Sequence, residues 1–482
     1  MSAARGDSGP SDAGRTNIRW LGLCCVAVFS WTGTGCAPAL AGQVDYGTGF
    51  ALGHDSNITL SPTDPRAEWT QSLFGGIAYT ERTADLRADF VAQVEKRTYV
   101  RNTYQDETLP FLNGAAVWSM VPQLLTWTVE DVARESLLSL SVPDTPTNRV
   151  KTNSLSTGPQ LTFRANPTNA PILGARYGRY DVEGPGDNQR YSGYGGWLYK
   201  FSELDSLSLN YVATRVNFDP PSLYTNFLRQ DQFLLYKRVS VLNSLIVEGG
   251  TTHIRRYGGE ETSGRLARVS ALYGLTSGSA VRLLLSDQIS DSATDLIRGL
   301  AYETTTKMMP VIPTEAAAVA PLGGSNVATT DIYRSQRGEV TYVMRSGRIE
   351  SSLQGYARRV DYVTLNQDYN EAGGRLALSW IPSDTLRIYA DADYLKRTFP
   401  NLKRPIPDPI LGSNFSERDT YRTVALGVTY RLTPNLSVSA EGRRLERDSE
   451  LPPDISPQGY VDNRVTLLLG YSTGPLYSPY RR

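Results

Sequence analysis

Apolar and polar positions alternate with a period of two along nearly the whole chain beyond residue 42. The stretch 369–397 shows the pattern most plainly: Leu376, Leu378 and Trp380 fall on one side, Arg375, Ala377 and Ser379 on the other. After a polar turn at Pro382–Thr385, Leu386, Ile388, Ala390, Ala392 and Tyr394 oppose Arg387, Tyr389, Asp391 and Asp393. Period two sends alternate side chains to opposite faces of a strand, so this is a β-hairpin with one apolar and one charged face. Arms of about ten residues at about 3.3 Å each are long enough to cross an outer-membrane hydrocarbon layer at a tilt.

The same hairpin recurs. In 84–100, Leu86, Ala88, Phe90, Ala92 and Val94 form the apolar series against Asp85, Arg87, Asp89, Gln93, Glu95 and Arg97. Comparable series are Leu207, Leu209 and Tyr211; Ala267, Val269, Ala271, Tyr273 and Leu275; Val424, Leu426, Val428 and Tyr430; and Leu436, Val438, Ala440 and Gly442. A charge on a lipid-facing side costs about 2–4 kcal/mol near the membrane midplane, so segregation this consistent predicts strands with lipid on one face. About twenty such segments are joined by alternating short and long connections, the layout of a transmembrane antiparallel up-and-down β-barrel of the bacterial outer membrane. About eighteen strands is the alternative count, since strand boundaries are the weakest part of the pattern. Short turns then face the periplasm and long loops the outside. The longest loops, 291–331 and 398–418, are expected either to fold into the lumen as a constriction or to form an external cap. The second is stiffened by Pro400, Pro405, Pro407 and Pro409.

Residues 1–41 read as a cleaved secretory signal peptide: Arg15 and Arg19 precede the apolar run 20–31, and Ala39-Leu40-Ala41 supplies small residues before Gly42. Cys36, preceded by Gly33-Thr34-Gly35, is a second candidate processing point, for acylation. All three cysteines (Cys24, Cys25, Cys36) lie in this segment, which leaves none for disulfides or metal sites in the single barrel domain expected over 42–482. No later stretch reaches about eighteen consecutive apolar residues, so a helical anchor is not expected. Lys and Arg number 49 against 49 Asp and Glu, and the absence of net charge argues against nucleic acid as a partner. Tyr (28) exceeds Phe (12) and Trp (7), which suits a wall with two water–lipid interfaces. The last strand candidate, 460–471, ends on Tyr471, an aromatic of the kind the barrel assembly machinery reads.

The opening stretch from Val44 to Thr59, a strand running into Asp55-Ser56-Asn57, resembles outer-membrane β-barrel families associated with exopolysaccharide export and PEP-CTERM (exosortase) systems. Trp127-Thr-Val-Glu-Asp131 and Asn153-Ser-Leu-Ser-Thr-Gly-Pro-Gln160 are similar to the same group. The resemblance implies a barrel that takes part in carrying an exopolysaccharide or capsular polysaccharide across the outer membrane, beside a periplasmic polysaccharide-export lipoprotein. A general or substrate-specific diffusion porin shares the architecture, and a barrel-borne hydrolase is a third reading.

No cofactor motif, phosphate-cradling glycine loop or metal-spaced histidine pair stands in the sequence, and an enzyme is not expected. His54-Asp55-Ser56 contains catalytic residue types, but neighbours on a strand point to opposite faces and cannot relay a proton. His253 shares the outward register of Leu245 and Val247 near the external rim; an interfacial ring is expected there, and a cross-strand meeting with an acid and a serine is left open. The inward charges are more telling. Arg87, Asp89, Glu95, Arg97, Arg358, Arg375, Arg387, Asp391, Asp393, Arg422, Glu441 and Arg443 are expected to line the lumen, with Tyr356 and Tyr389 offering ring faces to sugars. Arg387 and Asp391 are expected to act as a pair. Such a wall either stabilises itself through Arg–carboxylate pairs or lines a sugar path, and it can do both.

Overall fold

The computed structural model describes residues 42–184, 186–219, 224–297, 327–365, 367–408, 412–450 and 459–474, with backbone alone over 401–416. The expected signal peptide and all three cysteines lie outside the described residues. The first ten strands are β1 (Gln43–Asp55), β2 (Glu68–Arg82), β3 (Leu86–Tyr99), β4 (Glu107–Val121), β5 (Leu125–Leu137), β6 (Arg149–Thr162), β7 (Asn169–Val182), β8 (Asp187–Lys200), β9 (Asp205–Asp219) and β10 (Phe227–Val239). The second ten are β11 (Asn243–Arg256), β12 (Glu261–Thr276), β13 (Ser279–Ser290), β14 (Tyr333–Ser346), β15 (Ile349–Tyr362), β16 (Tyr369–Ser383), β17 (Leu386–Asp408), β18 (Gly412–Arg431), β19 (Leu436–Glu450) and β20 (Tyr460–Ser472).

Each strand pairs antiparallel with its successor, and β20 returns to β1 with Leu467 opposite Leu52 and Leu468 opposite Ala51. The sheet of 20 strands is therefore closed and leaves no free edge to the lipid. Carrying the registers once around the ring advances them by about 26 residues, a stagger that tilts the strands at about 45° to the barrel axis. Short turns bind one end. Gly347, between β14 and β15, holds φ 56°, a left-handed conformation that costs glycine little.

The outer wall carries the apolar series read from the sequence. Leu73, Leu209, Tyr273, Leu353, Leu376, Val424 and Leu426 all project outward and are exposed. Near the short turns a girdle of exposed aromatics (Trp118, Trp127, Trp197, Tyr199, Trp380, Tyr430) marks the periplasmic interface. An apolar band bounded by an aromatic girdle on a closed barrel makes this an outer-membrane protein.

At the external end the ring is bridged from within. Pairing of β13 with β12 stops at Asp287 while its pairing with β14 runs to Ser290, so the top of β13 leans inward. Ile289 then lies over Gly264, where a Cβ would come within 2.6 Å of it, and packs with Val216, Phe218, Phe227, Ile254 and Ile332. The chain continues into the lumen as a helical turn over 292–297. There Ala293 and Leu296 pack against Val132 of β5 and Tyr180 of β7. From the other side, the β5–β6 connection sends Leu140 against Tyr333, Val360, Tyr369 and Phe399 on β14–β17. Val327 and Leu137 form a parallel bridge where the two connections meet. The described ends of the 291–331 segment thus take the inward course.

The second long loop is corrected. Most of 398–418 is strand, because β17 continues to Asp408 and β18 begins at Gly412. The register shifts between Phe399 and Leu402 and again between Lys403 and Asp408, the intervals that hold Pro400, Pro405 and Pro407, since proline donates no ladder bond.

Candidate functional site

The strand period aims the charged series at the lumen, and the stagger of the barrel decides which series meet. Two zones result. In the wider zone toward the periplasm, Arg375 lies 3.4 Å from both Asp391 and Asp393. Arg387 bonds Glu350 of β15, and Glu350 also lies 3.7 Å from Arg345. The expected Arg387–Asp391 pair does not form, because the β16–β17 register places Asp391 opposite Ala377, beside Arg375. Glu441 accepts from Arg443 at 3.1 Å and from the Tyr389 hydroxyl at 2.9 Å. Asp89 pairs with Arg82 at 2.6 Å. Nearer the external end of β3, Glu95 receives Arg97 at 2.8 Å and the Ser72 hydroxyl at 2.8 Å. Arg87 points inward near the periplasmic end and is exposed.

Arg422 is the exception among the expected lumen residues. It shares the parity of Val424 and Leu426 and so points outward, where it meets Glu446 at 3.0 Å near the external rim, beyond the apolar band. Tyr356 does face inward but is 8 % exposed, so its ring is covered rather than offered to a ligand. Tyr389 lies flat on the wall: a Cβ on Gly427 would stand 2.2 Å from its ring. Tyr194 lies over Gly174 in the same manner, at 2.1 Å, with its hydroxyl donating to Gln160 at 3.2 Å. With one ring face against the wall, each turns the other to the lumen. Carrying the registers around the tilted ring brings Phe74, Tyr194, Phe233 and Tyr389 to within about 6 Å of one level along the axis. Parity gave Tyr389; Tyr194, Phe74 and Phe233 carry the same parity signal in their own strands.

The external zone is built from buried pairs that join connections to wall. Arg190 on β8 holds Asp291 at 2.6 Å, and Asp291 also accepts from the Thr294 hydroxyl at 2.7 Å and the Thr294 amide at 3.1 Å. Burial alone would raise the Asp291 carboxyl; the charge and hydrogen bond of Arg190, with Arg229 nearby, outweigh it and hold the group well below the usual carboxylate range. Asp295 accepts from Tyr333 at 2.7 Å and from Ser290, with Arg358 at 3.6 Å. Asp331 receives Arg256 at 3.1 Å and the amides of Thr364 and Leu365 at 2.8 and 3.0 Å. The β5–β6 connection is held through its carbonyls. Arg397, paired with Glu371 at 3.0 Å, donates to the Leu140 oxygen, and Arg447, paired with Asp419 at 2.7 Å, donates to the Ser141 oxygen. Glu371, Arg397, Asp419 and Arg447 share the parity of lumen residues on their own strands, so the sequence carried a signal for them. Asp291, Asp295 and Asp331 stand in a connection with no period to read. This arrangement leaves a polar, aromatic-lined vestibule beneath a mouth crossed by two inward connections.

No family model matches the chain, and no curated protein matches it. Solved structures do. The chain is similar to the FrpB iron transporter from Neisseria meningitidis, at 9% identity and a TM-score of 0.42, over 89% of this chain and 81% of that one. It is similar to OccK1 (OpdK) of Pseudomonas aeruginosa at 11% identity and a TM-score of 0.35, over 89% and 98% of the two chains. A third, an outer membrane protein of Vibrio cholerae shortened by one loop, matches at 10% identity and a TM-score of 0.31, over 90% and 99%. At these values the likenesses say nothing of what passes through this barrel.

Proposed function

We propose that this outer-membrane barrel channel passes an exopolysaccharide outward, and that the two inward connections keep it shut until polymer is delivered. The observation that carries the reading is the vestibule: both charge signs, paired, with ring faces of Tyr194 and Tyr389 lying flat on the wall. Carboxylates and guanidinium groups bond sugar hydroxyls, and flat aromatic faces receive the apolar faces of sugar rings. Mixed charge suits a neutral or weakly charged polymer, since a lining of one sign would hold an opposite charge too tightly to release it. Many weak contacts let a chain slide. The resemblance noted for Val44–Thr59 supports the same reading and suggests a periplasmic export lipoprotein as the partner that opens the barrel.

Deleting the gene is expected to abolish surface polymer while leaving outer-membrane permeability to small solutes nearly unchanged. Normal surface polymer in the deletion strain would overturn the reading. Liposome swelling separates it from a diffusion porin. The isolated exporter is expected to admit small sugars slowly, whereas free passage through the intact protein would favour the porin.

A further inference from the structure

We infer that the outer wall carries a second site, a serine esterase formed by Ser263, His253 and Glu261 and directed at acyl esters of outer-leaflet lipid. The β11–β12 register sets His253 directly opposite Ser263, and Glu261 stands two residues further along the same face of β12. The His253 Nδ1 lies 2.7 Å from the Ser263 Oγ, and its Nε2 lies 3.9 Å from the Glu261 carboxylate. With Nδ1 facing the hydroxyl as acceptor, the ring proton sits on Nε2, toward the carboxylate. That is a nucleophile, a base and an orienting acid in sequence, each on a rigid strand, at the separations such a group shows before substrate tightens it. None of the three is needed by the wall. They are partly or fully exposed and lie on the face turned away from the lumen.

Position names the substrate. The apolar series of β12 begins at Ala267, and Ser263 stands four residues nearer the outside, about 9 Å along the axis of a tilted strand. This is the level where acyl chains join a lipid's polar part. Beside it the outer wall carries an open depression of about 730 Å³ across β12–β17, floored by Ala267, Gly338, Ala357 and Ala372 and edged by Arg359 and Lys396. An open apolar floor of that extent lets an acyl chain lie along the wall with its ester end toward the polar rim. Arg265, on the same face two residues from Ser263 and also near the Asp287 carboxylate, is the nearest cation in register for a developing oxyanion, and Arg255 lies opposite Glu261.

In the reaction the Ser263 oxygen attacks the ester carbonyl carbon while its proton passes to His253. The carbon–alkoxy bond breaks, His253 returns the proton to the leaving alcohol, and the acyl group stays on Ser263. Water, deprotonated by His253, then releases the fatty acid and restores the hydroxyl.

The test uses the full barrel purified in detergent, its folding checked by heat-modifiable migration. The probes are a fluorophosphonate label, an aryl laurate ester, phosphatidylethanolamine vesicles and lipopolysaccharide. The label is expected on the Ser263 peptide, with Ser263→Ala and His253→Ala unlabelled and cleaving the aryl ester at least about 100-fold more slowly. Glu261 acts through His253, so Glu261→Gln is expected to lose about 10-fold in kcat with KM nearly unchanged, and Glu261→Asp, which keeps a carboxylate on the same face, to recover part of that loss. Cleavage of one lipid but not the other assigns its source. The proposal is overturned by folded wild-type protein that takes no label, by a label that survives in Ser263→Ala, or by labelling without turnover of any of the three esters. Surface polymer in a Ser263→Ala strain is expected at the wild-type level, so this site and the export reading stand or fall separately.

Discussion

At the external mouth and in the vestibule below it, the barrel uses the same Arg–carboxylate pairs in different connections. Vestibule pairs stay within the wall: Arg443 with Glu441 on one strand, Arg375 with Asp391 on neighbouring strands, Arg387 with Glu350 two strands apart. Mouth pairs reach from wall to connection, as in Arg190 with Asp291 and Arg256 with Asp331. Exposure is lowest at the top of the wall and highest at the periplasmic end, with Arg375 and Asp391, at 14% and 18%, between the two. Arg447 and Asp419 are both 0% exposed, whereas Arg82 and Asp89 are 41% and 23% exposed. A buried pair that loses one partner leaves a stranded charge and costs about 3–5 kcal/mol, while an exposed pair is worth about 0–1 kcal/mol. The periplasmic end of the vestibule, where Arg82 meets Asp89, therefore tolerates change, held as it is by its backbone ladder. The closure rests on a few pairs whose loss is local and large.

The sharpest way to break this contrast is Asp291→Ala. Arg190 would be left buried without its carboxylate, and the helical turn over 292–297 would lose the acceptor of the Thr294 amide. The connection is expected to leave the wall at a cost of about 3–5 kcal/mol, raising single-channel conductance while the barrel keeps its heat-modifiable migration. Unchanged conductance would mean that the inward connections do not close the channel. By contrast, Arg82→Gln with Asp89→Asn in the vestibule is expected to change stability by less than about 1 kcal/mol and leave conductance unaltered.

Acid should act on the mouth by the same route and more weakly. Arg190 holds the Asp291 carboxyl below its ordinary value of 3.8. A depressed carboxyl lends stability above its unfolded value and loses it as pH falls toward the folded one, so closure should persist through pH 4 and weaken only below it. Conductance recorded as pH is lowered checks this. Opening near pH 6 would exclude Asp291 as the group responsible.

The wall was legible in the sequence because period two is strict wherever one face meets lipid: a strand displaced by one residue would send Arg375 and Asp391 into hydrocarbon. The same rule exposes Arg422, which shares parity with Val424 and belongs outside. Partners across strands were less legible. Arg387 meets Glu350 and Asp391 meets Arg375 only because of the register and stagger of the closed ring, which no single strand encodes. The mouth was least legible, since Asp291 and Leu140 find partners on walls remote in sequence. Likewise His253 and Ser263 become neighbours only through the β11–β12 register.

The smallest expected effect concerns the vestibule as a sugar path. Tyr389 rests on Gly427 and is tethered by Glu441, so its outer face is fixed toward the lumen without closing it. If polymer slides by stacking there, Tyr389→Ala removes one contact of many, worth about 0.5–1.5 kcal/mol for an aromatic pair and hence a roughly two- to ten-fold slower export. Tyr389→Phe keeps the ring and loses only the bond to Glu441, so it should export at nearly the wild-type rate. Gly427→Ala leaves the ring intact but pushes it off the wall, where the added Cβ would stand 2.2 Å from it, and should slow export as the alanine at 389 does. Polymer release per cell, measured at equal barrel abundance, ranks the three. Slowing by Tyr389→Phe as large as by Tyr389→Ala would shift the role from the ring face to the hydroxyl and its carboxylate.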